Sequence, residues 1–223
     1  MEERMTDTTA LGRAGKLPSG RHQYTRDYVV GHQISRILTA VIEVAGTEGF
    51  GQLTVEAIIG RAEVSRSTFY EHFRNKDDAF MQAHDMMANR VIDQVVLAYE
   101  RETDALERLR AGLSAFLAFL ANEPLAARAF IVESMAAGPE VADRHDEGKR
   151  AFIQMVEDNL RELFPRYPDP GLTAETLVGG IHDVVHTRIR RGETADLPGL
   201  LDGLLNVFAI PDAEEWGPPG AAG

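Results

Sequence analysis

The chain has no cysteine, which excludes disulfides, a thiol nucleophile and any thiolate metal site. It has no run of about 18 apolar residues, so no membrane span is expected. The opening stretch, MEERMTDTTALGRAG, lacks the apolar core of a signal peptide, and a cytoplasmic address fits. A Gly-rich phosphate loop and a GxSxG elbow are both absent. Ser67-Thr68 has no base arranged beside it, so neither catalysis nor a bound cofactor is expected. Positive charge is scarce, with 23 Lys and Arg against 35 Asp and Glu, a net charge of −12.

That deficit is unevenly spread. Residues 1–80 carry a net charge of −1, whereas residues 81–223 carry −11. Residues 11–42 hold Arg13, Lys16, Arg21, Arg26 and Arg36 against Asp27 alone. A DNA-binding surface is therefore compatible with the first third of the chain, and the acidic remainder discourages non-specific association.

Apolar spacing points to an all-α protein throughout. Residues 1–24, with Gly12, Gly15, Pro18 and Gly20, read as a flexible basic arm, either a solvated tail or a segment that touches DNA. Ile34, Ile37, Leu38, Val41, Ile42 and Ala45 mark a first helix that Gly49 ends and that Thr25 could cap at an earlier start. Thr54 caps a second helix with Val55, Ile58, Ile59 and Ala62 inward, and Ser65 caps a third with Phe69 and Phe73 inward. Arg66, Ser67, Thr68, Tyr70 and His72 are left on its other faces. A cation, hydroxyls and a phenol on a short outward helix suit hydrogen bonds to base edges and phosphates. Asn75 caps the next helix, with Lys76 at its positive end beside a possible phosphate.

Residues 34–80 resemble the DNA-binding domain of the TetR family of transcriptional regulators. The resemblance rests on ISRILTAVIEVAGTEGF, then LTVEAIIGRAEVSRSTFYEHF, then the lysine of NKDD. It implies a three-helix helix-turn-helix head at 25–80 and a helical-bundle body for ligand binding and dimerisation at 81–210. It also implies DNA contact by Thr54, Arg66, Ser67, Thr68, Tyr70, His72 and Lys76, with Tyr70 and Lys76 on phosphate. Glu63 stands where the family usually has a turn glycine, and glutamate tolerates positive φ poorly.

In the body, helices are expected at 77–100, 103–121, 124–137, 140–164, 173–191 and 198–208, and residues 211–223 read as a disordered Pro/Gly-rich tail. Phe80, His84, Met87, Val91 and Val95 track one side of the first of these. Met87, Phe116, Phe119, Met135 and Phe152 are expected to line a cavity for a small apolar or amphipathic ligand. Val184, Val185, Leu200, Leu204, Leu205 and Phe208 are expected to form half of a homodimer interface. His182 and His186 lie one turn apart, a spacing compatible with a metal, but no third ligand is evident, so an interface or pocket role is favoured over a metal site. His84-Asp85 and His145-Asp146 are sequence neighbours that point about 100° apart on a helix and do not face one another as acid–base pairs.

The expected function is a ligand-responsive regulator: a repressor of a near-palindromic double-stranded DNA operator, released by a small molecule, with no membrane partner. An activator of the same fold, a protein-interaction module that has lost DNA binding and a helical enzyme are the alternatives.

Overall fold

The structure is a computed structural model that describes residues 25–208. Among the described residues there are nine α-helices and no strand: α1 Arg26–Glu48, α2 Val55–Ala62, α3 Arg66–His72, α4 Lys76–Tyr99, α5 Ala105–Asn122, α6 Pro124–Ala127, α7 Pro139–Leu163, α8 Pro170–Arg190 and α9 Leu201–Leu205. No single described helix is long and apolar enough to cross a membrane. The arm at 1–24 and the tail at 211–223 lie outside the described residues.

The first three helices form the head. Thr25, Thr54, Ser65 and Asn75 each cap a helix by accepting a backbone N–H with the side-chain oxygen, which satisfies donors that have no partner inside the helix. Ile37, Val41, Leu53, Ile58, Phe69 and Phe73 close the head's core and are at most 2% exposed. Phe50 plugs it from the 3-10 turn after α1 and meets the Phe80 ring edge-on at 4.9 Å.

The turn between α2 and α3 departs from ideal chemistry. Glu63 adopts φ 52°, ψ 43°, the left-handed conformation that favours glycine. Arg36 on α1 compensates. Its guanidinium donates to the carbonyls of Ala62 and Glu63, at 3.3 Å for the latter, and so caps the C-terminal end of α2 from a neighbouring helix.

The body differs from its sequence expectation in two places. Residues 124–137 do not form one helix. After the four residues of α6 the chain widens into a π-helical turn, Arg128–Val132, and then tightens into a 3-10 turn, Glu133–Ala136. The second is at 198–208, where a 3-10 segment, Thr194–Leu200, holds Pro198, and α9 is only five residues long. Proline has no N–H to give to an α-helical ladder, so the regular helix starts after it.

Head and body are clasped at two points. A Cβ at Gly46 would sit 2.4 Å from the Leu125 carbonyl oxygen, so only glycine lets α1 approach α6 this closely. Glu133 accepts the Phe50 N–H at 2.9 Å and is itself held by Arg128 at 3.3 Å.

Because a left-handed non-glycine residue costs about 1 kcal/mol, Glu63→Gly should stabilise the chain by about that amount. Arg36→Ala should destabilise it by about 2 kcal/mol, because two helix-end carbonyls lose a charged donor. Denaturant unfolding of both variants checks the pair, and a neutral Arg36→Ala would remove the proposed cap.

Candidate functional site

The outer surface of α3 carries the polar groups expected of it. Arg66 and Tyr70 are exposed, and Thr68 and Ser67 hydroxyls both lie 2.8 Å from the Ser65 hydroxyl. In the unbound head Arg66 is paired with Glu56 of α2, a contact that must open before the guanidinium can reach a base edge. His72 is partly committed inside the head, where its Nε2 lies 3.1 Å from Gln33 Oε1 on α1. Lys76 sits over the Phe50 ring at 4.4 Å, which fixes the ammonium at the positive end of α4. Thr54 is occupied as the α2 cap.

The second site is a cavity in the body, walled by α4, α5, α7, α8 and the π-helical turn. The space amounts to about 920 Å³ with its open mouth included. α4 and α7 run in the same direction along it. His84 Nε2 lies 3.4 Å from His145 Nδ1 at one end, and Asn159 donates to the Tyr99 hydroxyl at the other. The two tie points are matched in sequence, so the helices stay parallel with a bore between them. On α4 this bore extends from His84 to Tyr99, about 22 Å at 1.5 Å per residue. Its wall is apolar, including Val91, Val95, Leu113, Phe116, Phe152 and Ile181, and Ala88, Gly112 and Gly148 leave room between them.

The end near the head is different. His145 Nε2 lies 2.8 Å from His182 Nε2, so three imidazoles from α4, α7 and α8 form a continuous ladder. Phe130 packs on both His84 and His145, with ring centroids 4.8 and 5.3 Å away. Burial first, then the nearby His182 and His84, pushes the His145 imidazolium down to about 3. Burial, then Lys149 and His186, pushes His182 down to about 4. Burial also lowers His84, with Asp85 opposing it. Both cations on the wall are already paired: Lys149 with Asp146 at 2.7 Å and Arg108 with Glu162.

Of the residues expected at a ligand, Phe116 and Phe152 line this cavity. Met87 and Phe119 are buried in the core instead, both beneath Arg90. Met135 is 57% exposed, because the π and 3-10 turns before it rotate its side chain away from the direction a regular helix would give. The pocket role offered for His182 holds, whereas sequence reasoning missed His84 and His145 as its partners in the ladder, and Arg108 and Lys149 as cavity residues. His84 on the buried side of α4 was the available signal.

The expected interface residues also divide. Val185 is fully buried and Leu205 nearly so, which places both inside the chain. Leu200 and Leu204 are partly buried against the core, and Val184 is exposed. The side chain of Phe208 lies outside the described residues. His182 and His186 are stacked, with centroids 6.4 Å apart, and no group of three or more metal-ligating side chains forms among the described residues.

Lys76→Ala should weaken binding to all duplexes alike and reduce the salt slope by about one unit, whereas Arg66→Ala should change preference between sequences. Binding titrations at several salt concentrations separate the two. The buried histidines give a further test. A depressed folded pKa means that the unfolded chain binds the extra protons, so their stabilising contribution is complete above pH 6.5 and is lost as pH falls from there towards about 3. The melting temperature should fall over this window, and less so in a His145→Leu, His182→Leu double variant.

Residues 37–82 match the family model described as bacterial regulatory proteins, tetR family. The chain is similar to the HTH-type transcriptional activator FasR of Mycolicibacterium smegmatis, at 26% identity over 150 residues, covering 67% of this chain and 68% of that protein. It is similar to the fatty acid metabolism regulator protein of Bacillus subtilis, at 22% identity over 178 residues, covering 78% and 92% respectively. Among solved structures, the transcriptional regulator FadR from Bacillus subtilis in complex with stearoyl-CoA shares the fold. It has a TM-score of 0.70 and 22% identity, covering 79% of this chain and 98% of that one.

Proposed function

We propose that this chain, a TetR-family transcriptional regulator that binds DNA through its head and is not an enzyme, works as a homodimeric repressor released by a long-chain acyl ligand, an acyl-CoA in particular. The observation that carries this reading is the apolar bore, about 22 Å long, walled by the same helix whose first turn holds Lys76. A bore that long and narrow suits a flexible hydrocarbon chain better than fused rings. The similarity to a fatty acid metabolism regulator supports the same chemistry.

In the dimer, two copies of α3 enter successive major grooves, and Arg66, Ser67 and Thr68 face the bases. The interface runs along α8, where Leu172, Gly179, Gly180, Asp183 and Val184 are exposed at helical spacing and small residues permit close approach. The ligand acts by favouring a spacing of the heads that does not fit the half-sites, so it can shift operator affinity only as far as it discriminates between the two arrangements. A second reading, an activator with the same ligand chemistry, is supported by the similarity to FasR.

Gly148 lines the bore and a Cβ there would meet no atom within 4 Å, so a side chain can start from this position without a clash at its root. Gly148→Phe should keep operator affinity and lose the response to stearoyl-CoA, with operator duplex first selected from random DNA. A variant that responds as the parent does would place the ligand elsewhere.

A further inference from the structure

The buried histidine ladder has a hydrogen-bond inventory that does not close. Three neutral imidazoles bring three N–H donors and three bare nitrogens. The contacts His84 Nε2–His145 Nδ1 and His145 Nε2–His182 Nε2 consume two of each. One donor and one acceptor are left, at His84 Nδ1 and His182 Nδ1, and reversing every tautomer along the ladder exchanges which end holds the donor. His84 Nδ1 is buried and makes no hydrogen bond, with the Asp85 carboxylate standing off at 3.9 Å, and the His84 side chain is 1% exposed. An unused polar atom at that depth is destabilising, and an otherwise apolar bore does not need one to hold its shape.

The ladder and the bore share one wall: His84, His145 and His182 line the cavity together with the apolar residues. Resting on the acyl reading above, we propose that the ladder is the seat of the ligand's acyl carbonyl oxygen. The spare imidazole N–H donates to it, and the hydrocarbon tail extends along the bore toward Tyr99. Binding then fixes the tautomer of all three rings, because one donor committed to the ligand sets the direction of the two bonds behind it. The carbonyl is that of an uncharged thioester or ester and not a free carboxylate. Lys149 is already paired with Asp146, and Arg108 with Glu162, so a carboxylate would be buried without a free cation.

The test uses the full-length protein with ring-15N-labelled histidine and three probes: stearoyl-CoA, the N-acetylcysteamine thioester of dodecanoic acid, and dodecanoate. Calorimetry measures affinity, and long-range 15N spectra report each ring's tautomer. Both thioesters are expected to bind and to shift the ring nitrogens of His84, His145 and His182 while those of His32 and His72 stay in place. Dodecanoate is expected to bind at least about tenfold more weakly than the short thioester, and His182→Gln to weaken the short thioester about tenfold. Thioester binding with unmoved ladder nitrogens overturns the carbonyl seat and leaves the acyl reading standing. Dodecanoate binding as tightly as the thioester overturns the choice of an uncharged oxygen. If no acyl compound binds, the acyl reading fails and the seat falls with it.

Discussion

The functional parts of this chain depend on α4 being one continuous helix, whose buried side belongs to a single apolar core running from the head into the body. Its first turn is capped by Asn75 and carries Lys76 against Phe50 of the head. From Phe80 onward, Ala83, Met87, Val91 and Val95 are buried in the body, and His84, Ala88, Val91, Ile92, Val95 and Tyr99 face the cavity. A helix of this length resists sharp bending, so in the proposed mechanism a ligand that tilts α4 at the cavity wall carries its first turn, with Lys76, along with it. The π-helical turn supplies a second connection. Phe130 and Ile131 line the cavity, while Glu133, just beyond, accepts the Phe50 N–H.

The balance of polar and apolar groups follows from this arrangement. The bore is kept open by polar ties at its two ends, the histidine contact near the head and the Asn159–Tyr99 hydrogen bond at the far end. Between them the wall is apolar, so water gains little by filling it and a hydrocarbon chain gains the burial of its full length. The cations nearest the bore, Lys149 and Arg108, are neutralised locally by the exposed carboxylates of Asp146 and Glu162, so the wall presents no free charge to a ligand.

Local rules made the head legible. Caps at Thr54, Ser65 and Asn75, the inward Phe69 and Phe73, and the polar outer face of α3 all follow from residue type and helical spacing. The left-handed Glu63 was visible as a missing glycine, but its compensation by Arg36, 27 positions away, was not, since nothing local links the two. The body was legible as helices and only in part as a site, through Phe116, Phe152 and His182. The ladder draws one histidine from each of three helices, and in sequence each reads only against its neighbour. Val184 and Val185 show how narrow the margin is: one step along a helix turns the side chain by about 100°, from an exposed face to the core. Met135 was misplaced because no spacing rule announces a π-helical turn.

The chain has no cysteine, so a single Glu71→Cys on the exposed face of α3 gives one spin label per chain and, in the proposed homodimer, a direct distance between its two heads. Pulsed electron spin resonance on that variant, with and without saturating stearoyl-CoA, measures the link between cavity and DNA surface. The account predicts that the operator-bound dimer holds recognition helices about 34–36 Å apart, the separation of successive major grooves, and that the acyl ligand moves the distribution away from that spacing. A distribution that is unchanged when the cavity is filled would contradict it.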